Sequence, residues 1–351
     1  MTIELPETMR AVRFHAEGRS LSLETVPTPR PGPGEVVVKV AACGICHSDL
    51  SQFDGHIPAR FPAITPGHEA SGTVAAVGEG VRHWNVGDRV VIAAGRACGN
   101  CGSCRLAGSV DDCEALEIMA FAYDGAWAEY VATPAVSLLA VPEGVPIEQA
   151  AVLADAVSTP YSALETANLR IAESVGVWGM GGIGTHLVQL ARVAGASPII
   201  GLDPVPGVRE RALKLGADFV LDPLAEDTPA RIMEITGGRG LRVAFDCVGR
   251  TSTMTQANNA LGLRGRLLLV GISADQVELG WEGAFVGRRH TVTGHLGYTM
   301  KHLSELVELV SRGRLDLTAS VSAVLPLEEF EEGIRRLREH DGHPIRVLLR
   351  P

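Results

Sequence analysis

The chain has 351 residues, too many for one ordinary core, so two domains are the natural expectation. Hydrophobic residues at 46% and charged residues at 21% describe a globular protein, and a net charge of −10 offers no basic stripe to a nucleic-acid backbone. No apolar stretch approaches the roughly 20 residues that a spanning helix needs, so neither nucleic acid nor a membrane is an expected partner.

The first residues, MTIELPETMR, carry acids and a proline rather than a basic segment followed by an apolar core. That start predicts no secretory signal and a cytoplasmic location. In such a setting seven cysteines point to metal or redox roles before disulfides.

Residues 10–40 hold two alternating stretches, RAVRF and EVVVKV, which read as strands. Between them lies TVPTPRPGPG, whose prolines keep it from being helix or central strand. Cys43-Gly-Ile-Cys46-His47-Ser48-Asp49 follows, and later Pro66-Gly67-His68-Glu69. Short β-type segments around them, GTVAAVG and GDRVVIA, with glycine turns at close spacing, predict a small, strand-rich, barrel-like domain. Cys98, Cys101 and Cys104 then recur at steps of three, with Cys113 nearby. Such close neighbours cannot easily form unstrained disulfides, whereas tetrahedral thiolate ligation of zinc gives the loop a centre. DGAWAEYV, residues 124–131, reads as one more strand. VPEGVPIEQAAVLADAVSTPYSAL runs from loop into an apolar helix with Asp155 inside it. An ionised carboxylate is rarely buried without a partner, so Asp155 is either a surface-facing or capping residue or a metal ligand.

Residues 174–203 carry the most specific pattern. An apolar run from Val175 to Trp178 reads as a buried parallel strand, and Gly179, Gly181, Gly182 and Gly184 supply a tight turn. Leu187, Leu190, Ala191 and Ala194 then recur at helical spacing, and a second strand ends on Asp203. Strand, glycine turn, helix, strand and acid is the order of a dinucleotide fingerprint. The glycines let the backbone approach a pyrophosphate seated on the helix N-terminus. Asp203 falls where a carboxylate accepts the ribose hydroxyls of NAD and repels a 2′-phosphate. Strand and helix alternate from there to about residue 296, with strands in GLRVAFDCVG, RGRLLLVGI and HTVTGHLG, the rhythm of a parallel doubly wound sheet. The tail, with its helices KHLSELVELVSRG and EEFEEGIRRLREH and its final strand IRVLL, lies too far along to extend that sheet. It predicts a discontinuous first domain, residues 1–154 with 297–351, around a nucleotide domain at 155–296.

In this order, CGICHSD, PGHE, the cysteine-rich loop, GMGGIG and Asp203 resemble the zinc-containing, medium-chain alcohol dehydrogenases along almost the whole chain. The pattern is closest to bacterial secondary-alcohol dehydrogenases with an aspartate zinc ligand. The resemblance implies a GroES-like distorted β-barrel that carries catalysis, an α/β Rossmann domain that binds NAD, and an active site in the cleft between them. It implies a catalytic zinc on Cys46, His68 and Asp155, with Glu69 as the rival third ligand, as in some polyol dehydrogenases. Asp49 would orient His68, and Ser48 would pass the substrate proton outward. A structural zinc on Cys98, Cys101, Cys104 and Cys113 would make two zinc ions per chain. His47 is implied at the cofactor pyrophosphate, and Gly179, Gly181, Gly182, Ile183, Gly184, Asp203 and Val270 at the rest of the NAD site.

The chain also departs from that pattern. Ser51 stands where relatives often place a histidine to end the proton relay, and His295 where they often have serine. The gap from Cys104 to Cys113 is one residue longer than usual. Cys43 and Cys247 read as packing cysteines, the latter inside a buried strand. His56, Ile57, Phe121, Trp127 and Trp281 are candidate pocket residues by position and apolar character. They favour a nonpolar or aromatic alcohol, with its ketone or aldehyde, over a sugar acid. The alternatives are a polyol dehydrogenase, a zinc-free quinone or enone reductase, and a non-enzymatic nucleotide-binding protein on the same fold. The last two leave Cys46, His68 and the four-cysteine loop unexplained. The resemblance further implies a homo-oligomer, tetramer before dimer, through an apolar sheet edge near residues 291–296.

Overall fold

The computed structural model describes residues 4–107 and 113–351. The chain divides into two compact units, Met1–Ala156 with Tyr298–Pro351, and Val157–Gly297. The first boundary thus falls after Ala156 rather than after residue 154, which puts Asp155 in the first unit. Its surroundings explain that, because the Ala156 N–H donates to the Glu69 carboxylate and the Asp155 carboxylate accepts from Arg346, both residues of the first unit.

In the first unit, strand Thr8–His15 pairs antiparallel with Ser20–Pro27 along its whole length. Thr25, Val26 and Pro27, read as linker, are therefore strand. Proline is tolerated there because Pro27 closes a strand that is paired on one side only. A seven-stranded sheet follows the order Leu138–Ala140, Arg89–Ile92, Ala70–Val77, Glu35–Gly44, Arg346–Arg350 and Val321–Pro326, and Tyr130–Pro134 also pairs with Glu35–Gly44. Glu35–Gly44 is its spine: Val36, Val38 and Val40 are buried with Phe14, Ile92 and Trp127 in one apolar core. The last strand, Arg346–Arg350, pairs antiparallel beside Cys43 and Gly44.

Three local expectations change. The strand expected at 124–131 begins only at Tyr130, because the N–H groups of Gly125, Ala126 and Trp127 donate to the carbonyls of Thr65, Gly67 and Pro66. A Cβ at Gly125 would overlap the Pro66 and Gly67 carbonyls, so the crossing requires glycine. Trp127 is fully buried in the barrel core, and its indole N–H donates to the Gly44 carbonyl at 3.2 Å. It packs among Phe53, Val38 and Ile92 in that core; a large apolar side chain beside glycine carries the same signature as a pocket wall. The apolar helix around Asp155 is two helices, Ile147–Ala151 and Ser158–Thr166, separated by a 3-10 turn, Val152–Ala154, and a non-helical Asp155.

The second unit is a six-stranded parallel sheet in the order Phe219–Leu221, Ile199–Leu202, Val175–Trp178, Leu241–Asp246, Leu261–Leu269 and Thr291–Gly294. The chain enters at a central strand, steps outward twice, then crosses to the other side. That reversal creates the switch point at which dinucleotides bind. Helix Gly182–Val193 buries Leu187, Leu190 and Ala191 as their spacing foretold, and Val188 with them, whereas Ala194 is the exposed residue that ends the helix. Thr291–Gly294 lies at the sheet edge. Cys247 follows the end of Leu241–Asp246 and is half-buried, rather than lying within the strand. Among the described residues, no helix is long and apolar enough to cross a membrane.

Candidate active site and metal centres

Cys46 sits where strand Glu35–Gly44 gives way to helix His47–Phe53, as the residue that caps it. Asp49, three residues on, is fully buried; its Oδ2 accepts the Cys46 N–H at 2.9 Å and its Oδ1 lies 3.2 Å from His68 Nδ1. One carboxylate thus fixes both the turn that presents the thiol and the rotation of the imidazole. The other imidazole nitrogen, Nε2, lies 3.9 Å from Asp155 Oδ2. The donor atoms of Cys46, His68 and Asp155 all lie within 4.8 Å of one another. Thiolate, imidazole and carboxylate with a fourth position open is a donor set that fits catalytic zinc. Ser48 Oγ is 3.6 Å from Cys46 Sγ, and the Phe121 ring stands 5.4 Å from that of His68.

Glu69 is absent from that cluster, although it follows His68 directly. It is fully buried, one oxygen accepting the Ala156 N–H at 3.2 Å and the other 2.8 Å from Arg346 Nε. Burial pushes its carboxyl up, and the Arg346 guanidinium pulls it down. Arg346 also donates through Nη2 to Asp155 Oδ2 at 2.8 Å and through Nη1 to the Ile45 carbonyl at 3.3 Å. Sequence reasoning missed Arg346. Its signal was an arginine inside the apolar strand IRVLL, where an ionised group needs buried partners.

Other predicted residues lie at the surface of this unit. His47 is exposed, and its ring stacks on His340 with centroids 6.2 Å apart. His56 is exposed, while Ile57 and Ser51 are half-buried. Cys43 is fully buried, which pushes its thiol well up and leaves it a packing residue.

The sulfurs of Cys98, Cys101, Cys104 and Cys113 also lie within 4.8 Å of one another. Backbone N–H groups point at them: Asn100 and Cys101 to Cys98 Sγ at 3.4 and 3.3 Å, Cys104 to Cys101 Sγ at 3.5 Å, and Cys98 to Cys113 Sγ at 3.2 Å. Donors so placed favour thiolates and hold the Cys98 and Cys101 thiols below their ordinary value. A closed four-thiolate set fits structural zinc. The extra residue of the Cys104–Cys113 gap falls outside the described stretch. At the base of this lobe Gly95–Arg96 pairs with Glu117–Ile118, and the Arg96 guanidinium lies 4.4 Å over the Tyr123 ring.

In the second unit the predicted cofactor residues gather at the C-terminal ends of the strands. Gly179 turns the chain with φ +84°, and a Cβ on Gly184 would overlap the Gly179 carbonyl oxygen. Gly182 and Ile183 open the helix. Gly181 differs: its φ is −74° and a Cβ there would meet nothing within 4 Å. The fold itself does not require glycine at that point, and the open space there, beside the first N–H groups of helix Gly182–Val193, is compatible with an approaching pyrophosphate. Asp203 accepts the N–H groups of Met180 and Val205, both at 3.0 Å, and is thereby fixed beside the glycine turn. Val270 donates its N–H to Asp246 at 2.9 Å just past Leu261–Leu269. His295 follows Thr291–Gly294, with Nδ1 3.1 Å from Thr166 Oγ1 and Nε2 3.2 Å from the Thr159 carbonyl. Trp281 is 79% exposed and caps the short helix Glu282–Arg288.

Residues 32–143 match the family model of the alcohol dehydrogenase GroES-like domain, and residues 182–312 that of zinc-binding dehydrogenase. The chain is 34% identical over 347 residues to a probable zinc-binding alcohol dehydrogenase of Mycobacterium tuberculosis, covering 98% of this chain and 89% of that one. It is 32% identical to an L-threonine 3-dehydrogenase of Pyrococcus horikoshii, covering 95% and 97%. Among solved structures it resembles an acetophenone reductase of Geotrichum candidum in complex with NAD, at a TM-score of 0.88 and 29% identity over 99% and 98% of the two chains. Likeness of this extent in both units settles the family: the chain belongs to the zinc-dependent medium-chain alcohol dehydrogenases and is an oxidoreductase.

Proposed function

We propose that the protein is an NAD(H)- and zinc-dependent secondary-alcohol dehydrogenase, or carbonyl reductase, for nonpolar or aromatic substrates. The observation that carries this reading is the Cys46–His68–Asp155 cluster with the Phe121 ring against His68. Cys46, His68 and Asp155 hold the zinc, whose charge, when bound, polarises a carbonyl and eases loss of a hydroxyl proton. Asp49 keeps His68 Nε2 turned toward the metal position. The Ser48 hydroxyl, beside Cys46, takes the proton away from the substrate, and Phe121 with Ile57 forms the apolar wall against which the substrate lies. The cysteine lobe holds a second, structural zinc, so elemental analysis should give about two zinc per chain.

The direct test is NADH oxidation with an aryl ketone, a straight-chain ketone, a polyol and L-threonine, before and after chelation. Loss of turnover on chelation and preference for the ketones are expected. Turnover confined to the polyol or to threonine overturns the substrate class, and full turnover after complete zinc removal overturns the metal assignment.

NADH is the expected cofactor, because Asp203 opposes the added phosphate of NADPH. Asp203→Ala should weaken NADH binding roughly 10-fold and narrow the preference, the loss of one charge-assisted pair of hydrogen bonds. Fluorescence titration with both cofactors reads this, and tighter wild-type binding of NADPH sinks it.

Cys101→Ser should lose one zinc per chain and lower the melting temperature by about 3 °C, roughly 2 kcal/mol for a protein of this size. Turnover per remaining catalytic zinc should stay near that of the wild type. An active wild type found to contain only one zinc per chain counts against the lobe as a metal site.

The open edge at Thr291–Gly294 supports association into a homo-oligomer, a tetramer on this reading. Light scattering that returns a monomer at working concentration contradicts it.

A further inference from the structure

Two buried carboxylates share one guanidinium beside the metal cluster. Arg346 is 4% exposed at its side chain; its Nε is 2.8 Å from Glu69 Oε2 and its Nη2 donates to Asp155 Oδ2 at 2.8 Å. A third contact, from Nη1 to the Ile45 carbonyl, ties the guanidinium to the residue next to Cys46. Glu69 is pressed against Gly44, where a Cβ would overlap its carboxylate, and its second oxygen is held by the Ala156 N–H. Each oxygen of Glu69 therefore faces a cation or donor of the protein. Asp155 has one oxygen on Arg346 and lies within the Cys46–His68 cluster.

We propose that Arg346 is a positioning residue that selects Asp155 over Glu69 as the carboxylate ligand of the zinc and limits Asp155 to one-oxygen ligation. This rests on the zinc reading of the Cys46 cluster given above. A buried carboxylate deprived of its guanidinium takes up a proton or finds another positive charge, and a zinc held by the adjacent His68 would supply that charge to Glu69. Holding Glu69 on Arg346 keeps the fourth metal position open for substrate. Groups that hydrogen-bond metal ligands commonly alter metal affinity by roughly 10- to 100-fold, which sets the scale expected here.

Cadmium NMR of the fully loaded protein tests this, because the four-sulfur and one-sulfur sites give separate resonances and the first serves as an internal control. In Arg346→Met the one-sulfur resonance should move as an added oxygen ligand enters, with the four-sulfur resonance unmoved. Metal transfer from that site to a chelator should change by at least about 10-fold. In the double variant Arg346→Met/Glu69→Gln, which also removes the uncompensated charge, the wild-type shift should return. Glu69→Gln alone should leave the resonance in place. An unmoved resonance in Arg346→Met overturns the proposal. Should Arg346→Met fail to fold, the double variant decides: a wild-type shift supports Glu69 as the displaced rival, and a moved one overturns it. A wild type with no one-sulfur resonance at all refutes the zinc reading itself, a result distinct from either.

Discussion

Asp155→Ala is expected to empty the Cys46–His68 cluster of zinc and lower turnover by at least ~1000-fold, while NADH affinity stays within about 3-fold of the wild type. Changes one step removed from a metal cost roughly 10- to 100-fold, so removal of one of only three protein ligands should cost more. The glycine turn, Asp203 and Val270 lie in the other compact unit, and the substitution leaves them untouched. Folding should survive as well. Arg346 keeps Glu69 as its counter-charge at 2.8 Å and the Ile45 carbonyl as an acceptor, so no buried cation is stranded. Asp155→Cys replaces the carboxylate with a thiolate, a donor that also suits zinc, and should retain metal. Were Asp155 an ordinary capping residue, alanine would cost about 1 kcal/mol of stability and leave the zinc in place. Metal content of the two variants distinguishes these cases. Full zinc and near-normal turnover in Asp155→Ala would move the third-ligand assignment to Glu69 and remove the basis for the role given to Arg346.

The parts of this site legible in the sequence are those whose geometry closes within a few residues. Cys46 and Asp49 stand in one short motif, which lets Asp49 be read as the partner of His68, and the cysteine cluster is read from its steps of three; that Asp49 also accepts the Cys46 N–H is seen only in the structure. The glycine turn and Asp203 are read the same way, through a strand–turn–helix unit whose order leaves little freedom. Arg346 is the opposite case. It lies 191 residues from Asp155, and nothing local to either residue specifies the other. Only the pairing of the final strand with the end of Glu35–Gly44 brings the guanidinium beneath the cluster. Trp127 shows a different limit: apolar character and a neighbouring glycine describe a pocket wall and a core anchor equally, and the difference lies in the indole N–H that finds the Gly44 carbonyl. The strand expected at residues 124–131 starts late because the N–H groups of residues 125–127 are taken by carbonyls about 60 residues earlier, at 65–67, outside any ladder pattern.

The glycine turn gives the second large effect, because two of its glycines serve different purposes. Gly184 packs helix Gly182–Val193 onto the turn, and any Cβ there collides with the Gly179 carbonyl, which is backbone and cannot swing aside. Gly184→Val should therefore destabilise the protein by about 1–3 kcal/mol, the range for overpacking. It should also weaken NADH binding by at least ~100-fold, the scale of a 1 Å displacement in a positioned site. Gly181 has room for a side chain and an unstrained φ of −74°, so Gly181→Val should fold with a melting temperature within about 2 °C of the wild type. If the pyrophosphate occupies that room, NADH binding should nevertheless fall by ~100-fold, because the new side chain fills the approach to the helix N-terminus. Zinc content should be unchanged in both variants, since the metal clusters belong to the other unit. The informative comparison is between the two columns of data, melting temperature and NADH affinity. Loss of both in Gly184→Val but of affinity alone in Gly181→Val locates the cofactor on this turn. Wild-type NADH affinity in Gly181→Val would move the pyrophosphate away from Gly181 and leave the turn with only its packing role.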